Sequence, residues 1–116
     1  MGNRLRIWTE YHGRCVVVGV AGEIDIATAD RLRLQVIIAV LTAAPPSLVI
    51  DLGGVEFFDS SGLGALVAIW KAIRGDGGKL VLARPQDRLR TLLARTRLDT
   101  RITVRDNLRD AITAAG

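Results

Sequence analysis

The stretch from residue 48 to residue 64, LVIDLGGVEFFDSSGLG, constrains the fold more than any other part of the chain. Its first five residues are almost all apolar, which is typical of a strand covered on both faces of a sheet. Gly53 and Gly54 predict that this strand ends there and that a tight loop follows. Asp59 and Ser60 then offer side-chain oxygens that can cap the first free backbone N–H groups of a helix.

The residues that follow this cap repeat at helical spacing, so that one face of the helix is predicted to belong to the core. That face consists of Leu63, Leu66, Val67, Trp70 and Ile73. The hydroxyls of Ser60 and Ser61 are therefore expected at the positive end of a helix dipole, beside the Asp59 carboxylate. The helix end favours an added phosphate at this point, whereas the carboxylate opposes one.

The part of the chain before this stretch predicts a hairpin and a helix. Residues 5–10 alternate between apolar and polar side chains, as in an edge strand, and a turn at His12 leads to a more apolar strand over residues 15–20. A helix is predicted to begin near Thr28, with Asp25 or Thr28 as its cap. Its buried stripe is predicted to be Leu32, Val36, Ile37, Val40 and Leu41.

The part of the chain after this stretch alternates between strands and helices. A buried strand is predicted over residues 79–83, a helix from residues 84–87 onward, an extended segment near residues 102–104 and a last helix after Asp106 and Asn107. Right-handed crossovers would place the later strands parallel in one sheet. We therefore expect an α/β fold with a mixed sheet of four to five strands, an antiparallel edge strand and about four helices.

Composition and charge narrow the class of protein. The chain has 116 residues, which suits one domain, and 49% of them are hydrophobic, which suits a folded core. The formal net charge is +4, but the basic residues are scattered, and no dense basic run with interleaved aromatic residues predicts direct nucleic-acid binding. An acidic protein partner and a merely solvated basic face both remain open. A single cysteine, Cys15, excludes an intrachain disulfide and fits a buried thiol.

Catalysis, metal binding and membrane insertion lack candidate residues. His12 is the only histidine and falls on a predicted turn, so it offers neither a metal cluster nor a base for a serine nucleophile. The segment Gly62-Leu63-Gly64 lacks the lysine of a phosphate-binding loop. The longest apolar run, residues 36–41, is too short to span a bilayer, and residues 1–6 show no apolar signal segment. We expect a cytoplasmic protein that is not an enzyme and that holds no metal or cofactor.

The ordered motifs of the chain resemble those of the STAS domain. Val49-Ile50-Asp51-Leu52, then Phe57-Phe58 and Asp59-Ser60-Ser61-Gly62-Leu63-Gly64, resemble its signature, more narrowly that of the bacterial anti-sigma factor antagonists. Gly22-Glu23-Ile24-Asp25 with residues 27–32 is similar to the other characteristic segment of that family. The resemblance implies one STAS domain over residues 1–116, with its helices packed largely on one side of the sheet.

The resemblance implies a binding module that phosphorylation switches. In that family, the unmodified domain binds an anti-sigma factor that is also a serine kinase, and this binding releases a sigma factor. Phosphorylation of the serine after the aspartate breaks the complex, and a phosphoserine phosphatase restores it. The matching residue is Ser60, with Ser61 as a neighbouring hydroxyl that caps or supports. From residue types alone, a helix cap is the better interpretation of Ser60, and the family resemblance reverses this preference.

The family resemblance also assigns supporting roles around this serine. Asp25, Asp59 and Gly62 are expected to shape the phosphorylation site, although Asp25 also suits the ordering of its own turn. Asp51, at the end of the central strand, is expected to belong to the same acidic rim. A dianion on Ser60 would then face several carboxylates, and a closely fitted partner would be excluded by charge and size.

Contacts to the partner are expected from Glu23, Phe57 and Phe58, although the core is the ordinary place for both phenylalanines. The alternative function is a non-catalytic STAS subunit of a signalling scaffold or of a membrane transport system, for which no serine needs to be modified. A small esterase with Ser60 as its nucleophile is the competing enzymatic hypothesis. Many members of the family are acidic or near neutral, so the basic charge of this chain leaves the identity of the partner open.

Overall fold

One five-stranded sheet and four helices make up the fold, which we describe from a computed structural model over residues 4–43 and 45–116. The strands are β1 (Leu5–His12), β2 (Cys15–Ile24), β3 (Ser47–Phe58), β4 (Lys79–Ala83) and β5 (Thr103–Arg105). The helices are α1 (Ala29–Ala39), α2 (Ser60–Gly75), α3 (Asp87–Arg95) and α4 (Leu108–Ala115), with a 3-10 turn at Leu98–Thr100. The first three residues of the predicted 1–116 domain and its Ala44 lie outside the described residues.

The strands follow one another across the sheet in the order β1-β2-β3-β4-β5. β1 pairs with β2 in the antiparallel direction, and every later pair is parallel. Helices α1, α2 and α3 cover one face, where they enclose a large aliphatic core, and α4 covers a smaller cluster on the opposite face. The α/β prediction, with a mixed sheet, an antiparallel edge strand and helices largely on one side, is confirmed.

The central strand β3 is longer than the sequence predicts. It continues through Gly53 and Gly54 to Phe58, so the prediction of a tight loop over residues 53–58 is wrong. The strand continues because its neighbour β2 also continues, and their pairing ends at the pair Ile24 and Phe58 after two register shifts. The two glycines, considered alone, give no information about pairing with a strand that lies about thirty residues away in the sequence.

The two glycines of β3 provide room rather than a chain break. A Cβ atom at Gly53 would lie 2.5 Å from the guanidinium carbon of Arg84, and one at Gly54 would lie 2.8 Å from the Cβ of Ala21. Glycine within a strand often marks such a close approach of another group. At residue 53 that group is the side chain of Arg84, which reaches across the sheet face from the end of β4.

Asp51 is buried within β3 and is paired with Arg84, so it does not belong to an acidic rim as predicted. Its two carboxylate oxygens accept hydrogen bonds from Nε and Nη2 of Arg84 at 2.9 and 2.8 Å. The same carboxylate accepts the backbone N–H of Gly53 at 3.1 Å. These bonds to Asp51 raise the pKa of Arg84 further above its usual value. The charge of Asp51 is therefore matched on the face that α4 partly covers.

Helix α1 buries a narrower stripe than its sequence predicts. Leu32 and Val36 are buried, whereas Ile37 is 46% exposed and Leu41 is 74% exposed. Ile37 follows Val36 by 100° around the helix and so points away from the sheet. The helix ends at Ala39, so Leu41 lies beyond it. The predicted burial of these two residues is wrong.

Removal of the Asp51 carboxylate tests the importance of the ion pair. We expect Asp51→Ala to lower the free energy of unfolding by about 1.5–3 kcal/mol, because a charged donor and a backbone N–H lose their acceptor. Asp30→Ala is the matched control, since Asp30 is 92% exposed and pairs with Arg33 only at 3.9 Å. This control should change the free energy by less than about 0.5 kcal/mol. Urea unfolding of both variants makes the comparison, and equal effects would contradict the proposed role of the pair.

The thiol of Cys15 should be inert in the folded protein. Cys15 is buried, and this burial raises the pKa of its thiol, although a hydrogen bond with Ser47 acts in the opposite direction. The thiolate is the reactive form, so a raised pKa leaves less of it at neutral pH. We expect iodoacetamide to label Cys15 rapidly in urea and only slowly under native conditions. Equal rates in the two conditions, measured by mass spectrometry, would show that the thiol is accessible.

Candidate functional site

Two turns meet at one edge of the sheet, where β2 and β3 end. Ile24, at the end of β2, lies opposite Phe58, at the end of β3. The next backbone N–H, that of Asp59, donates to the carbonyl of Ile24 at 3.3 Å. The turn between β2 and α1 therefore lies beside the first residues of α2. Glu23 and Asp25 are brought close to the segment of Ser60 in this way, as the sequence predicts.

Asp59 is the residue that caps α2. Its Oδ1 accepts the backbone N–H of Ser61 at 2.9 Å and that of Gly62 at 3.1 Å. The extended backbone of Asp59 is the usual conformation of a capping residue. The prediction that Asp59 caps this helix is confirmed.

Ser60 is the first residue of α2, and its side chain is exposed. Within the part of the chain that the structure describes, its hydroxyl makes no hydrogen bond, so the interpretation of Ser60 as a mere helix cap is wrong. Ser61 is half-buried and contributes its backbone N–H, rather than its hydroxyl, to the cap. Of the two neighbouring hydroxyls, that of Ser60 is the one accessible to another protein.

Gly62 lets the start of α2 lie directly against the ends of the strands. A Cβ atom at this position would lie 2.9 Å from both the carbonyl oxygen and the Cγ2 of Ile24, and 3.0 Å from the ring of Phe58. Side chains essentially never approach so closely, so a larger residue must push α2 outward. Gly64, two residues further along α2, has open space where a Cβ atom would lie.

The turn between β2 and α1 is held by its own polar groups. Oδ1 of Asp25 accepts the backbone N–H of Ala27 at 2.9 Å. The hydroxyl of Thr28 donates to the carbonyl of Glu23 at 2.9 Å and accepts the backbone N–H of Asp25 at 3.0 Å. Arg4 lies at 3.8 Å from Glu23 and at 3.9 Å from Asp25. Asp25 therefore orders its own turn and also contributes its charge next to the start of α2.

The two neighbouring phenylalanines differ in exposure. Phe57 is 42% exposed and presents an apolar surface next to the site, whereas Phe58 is buried in the core under α2. An edge of Phe58 still lines a groove between α2 and α3.

This groove has a volume of about 490 Å³ and runs beside Ser60. Leu63 and Leu92 line it with apolar surface, and Arg88 and Arg95 contribute two guanidinium groups. The sequence reasoning did not single out these two arginines. Their spacing of seven residues indicates one face of a helix, but it does not indicate that this face meets the start of α2.

Other chemistry receives no support among the residues that the structure describes. No group of three or more His, Cys, Asp or Glu side chains within residues 4–43 and 45–116 is placed to hold a metal ion. None of the helices in these ranges is long and apolar enough to cross a membrane.

A pair of glycine substitutions tests the close packing at the start of α2. We expect Gly62→Ala to destabilise the fold by about 1–3 kcal/mol, because its methyl group meets a backbone carbonyl that cannot move freely. Gly64→Ala is the matched control and should stabilise the helix by up to about 1 kcal/mol, since alanine is the better helix former. Thermal and urea unfolding measure both effects. A stabilising Gly62→Ala would show that α2 does not need this contact.

Comparisons with known proteins agree with this geometry. The sequence profile of the STAS domain matches residues 6–111. An anti-sigma F factor antagonist of Paenibacillus polymyxa is 30% identical over 109 residues, which cover 94% of this chain and 93% of the relative. An anti-sigma-B factor antagonist of Bacillus subtilis is 36% identical over 74 residues, which cover 64% of this chain and 66% of the relative. The crystal structure of an anti-sigma factor antagonist from Mycobacterium paratuberculosis has 33% sequence identity and superposes with a TM-score of 0.85, covering 96% of this chain and 93% of the other. The chain belongs to the STAS domain family, and the three similar proteins named above are anti-sigma factor antagonists.

Proposed function

We propose that this protein is an anti-sigma factor antagonist that is switched at Ser60. The unmodified form binds an anti-sigma factor with serine kinase activity, and a sigma factor is thereby freed. Phosphorylation of Ser60 ends this binding, and a phosphoserine phosphatase restores it. The observation that carries the proposal is the exposed hydroxyl of Ser60 at the capped start of α2, which makes no hydrogen bond to residues 4–43 or 45–116, in a chain of this family. We further propose that residues 1–116 form one STAS domain that works in the cytoplasm.

A phosphate on Ser60 changes the surface more than the fold. It adds about 1.5 to 2 negative charges at neutral pH. The positive end of the α2 dipole stabilises a negative group in an exposed position by about 0.3–1 kcal/mol, which compensates for part of the cost of the added charge. The cap of α2 uses the side chain of Asp59 and backbone N–H groups, so the added group displaces none of its hydrogen bonds. The modified protein therefore keeps its fold and presents a bulky dianion where the partner fits a small hydroxyl.

The partner surface includes both turns at this edge of the sheet. Glu23 and Asp25 give it two carboxylates, which Arg4 approaches at 3.8 and 3.9 Å, and Phe57 gives it an exposed apolar contact. Phe58 takes part only through the edge that lines the groove. A loss of about 1.4 kcal/mol of binding free energy already weakens binding tenfold, so a single phosphate in such an interface is sufficient to disrupt the complex.

We propose no catalytic role for Ser60 in this chain. The sole histidine, His12, ends β1 opposite Cys15, whereas Ser60 follows the strand end that lies opposite Ile24. Cys15 and Ile24 are nine residues apart along β2, which corresponds to about 30 Å in a strand. This distance places the histidine outside the reach of the serine hydroxyl, which a serine hydrolase requires.

The modification itself is the first test. We expect the protein purified from its own host to carry one phosphate, mapped to Ser60 by fragmentation and absent from Ser60→Ala. Ser61→Ala is the matched control and should keep the phosphate, because the Ser61 side chain is half-buried. A chain that is never phosphorylated, even with candidate kinases co-expressed, would instead favour a STAS subunit of a signalling scaffold or of a membrane transport system.

Binding to the candidate anti-sigma factors of the host completes this test. Calorimetry should give at least a tenfold weaker affinity for the form with phosphoserine at residue 60 than for the unmodified form, which corresponds to about 1.4 kcal/mol. Equal affinities of the two forms would contradict the switch.

A further inference from the structure

We propose that Arg88 and Arg95 hold the phosphate of modified Ser60 over the groove between α2 and α3. The inference rests on the proposed modification of Ser60, and it names the groups that receive the phosphate. Ser60, Arg88 and Arg95 line the same groove of about 490 Å³. A phosphate monoester on Ser60 thus extends into a space that already contains two guanidinium groups.

Arg88 and Arg95 differ in their ion pairs from two nearby arginines, Arg84 and Arg90. Arg84 forms a two-bond pair with Asp51, and Arg90 pairs with Asp106 at 2.9 Å. Arg88 and Arg95 make no ion pair with any residue in the described ranges 4–43 and 45–116. Both side chains are exposed, so their charges are available to a ligand.

The position of the two arginines on α3 fits a shared target. Residues 88, 92 and 95 follow one another at intervals of four and three, which places them on one face of a helix. That face is turned toward the start of α2, since Leu92 lines the groove together with Leu63. The face therefore carries a cation on each side of an apolar contact. A guanidinium group binds phosphate through two parallel hydrogen bonds, which suits the planar fork of arginine.

Negative charges near the groove do not cancel these cations. Asp59 lines the groove, but its Oδ1 already accepts two backbone N–H groups of α2. Glu56 lines a neighbouring cavity of about 30 Å³ that Arg88 also borders. Two cations thus border the groove with the Asp59 carboxylate, and Glu56 lies in the neighbouring cavity. The carboxylates of Glu23 and Asp25, in the turn beside the start of α2, are approached by Arg4 at 3.8 and 3.9 Å. The balance favours an incoming dianion.

The consequence is a groove that phosphorylation closes. In the unmodified protein, the apolar surface of Leu63 and Leu92 and both guanidinium groups are open to a partner. In the modified protein, the phosphate occupies the guanidinium groups and lies across this surface. Ser61 cannot act in the same way, because it does not line the groove and is half-buried.

A titration of encoded phosphoserine tests the proposal without any kinase or partner. Phosphoserine is incorporated at residue 60 during synthesis, and its ³¹P chemical shift is followed against pH in wild type and in the double variant Arg88→Gln/Arg95→Gln. Nearby cations favour the dianion, so the second pKa of the phosphate should be about 0.5–1 unit lower in wild type than in the double variant. Arg90→Gln is the matched control, since it removes one charge from the same helix outside the groove, and should leave the pKa within about 0.2 unit of wild type. The carboxyl groups of Asp59 and Glu56 are common to all variants, so they do not account for a difference between them.

A second measurement locates the contact. In ¹H–¹⁵N spectra, the Nε–H signals of Arg88 and Arg95 should shift between the serine and phosphoserine forms, and the signal of Arg90 should not. Equal phosphate pKa values in wild type and the double variant, or unchanged arginine signals, would overturn the proposal. Because the phosphate is encoded, these outcomes do not depend on whether a kinase modifies Ser60 in the host. Different results would contradict the proposed function, namely a Ser60 that is never modified in the host or a partner affinity that does not change with the phosphate.

Discussion

The pairing of β2 with β3 continues to the last residue of each strand, and the candidate site depends on it. Parallel strands that end together send the chain into its next two turns at the same edge of the sheet. The pair Ile24 and Phe58 thus brings two segments together that lie more than thirty residues apart in the sequence. Gly62 keeps α2 in contact with this pair, and Asp59 fixes the start of the helix. Without the paired strand ends, the serine, the acidic turn and the exposed Phe57 would not form one surface.

The charges around the site are arranged differently from what their order in the sequence suggests. Asp51 is matched by Arg84 on the opposite face of the sheet, Asp59 is used in a helix cap, and Asp25 is used in its own turn. The acidic rim that the sequence predicts is thereby reduced to a few partly engaged carboxylates. The basic charge of the second half of the chain is likewise divided. Arg84 and Arg90 form ion pairs, whereas Arg88 and Arg95 border the groove and form none with the residues that the structure describes.

The sequence predicted those features that depend on local chemistry. The buried central strand and the capping aspartate follow from side chains within one turn or one strand, and they were predicted correctly. The core face of α2 was predicted only in part: Leu66 and Ile73 are buried, but Val67 is half-buried and the buried Ile69 was missed. The length of β3 was not, because Gly53 and Gly54 are breakers in isolation but fit where Ala21 and Arg84 approach the strand. The narrow stripe of α1 and the groove beside α3 also depend on how whole elements pack. Such packing leaves no periodic signal in a single segment, so the arginines of the groove could not be recognised.

A switch at this position requires a fold that accepts a dianion and a surface that does not. The fold accepts it because the side chain of Ser60 is exposed and takes no part in the hydrogen bonds that cap α2. In the proposed switch, the surface rejects a partner because the phosphate would stand at the start of α2, beside the turn between β2 and α1 and beside the groove. In our proposal, Arg88 and Arg95 on α3 meet both requirements. They bind the phosphate within the domain itself, and once they have bound it they are no longer available to a partner. In this proposal, inhibition results from intramolecular competition, because the attached phosphate has a higher effective concentration at the two arginines than a free partner has.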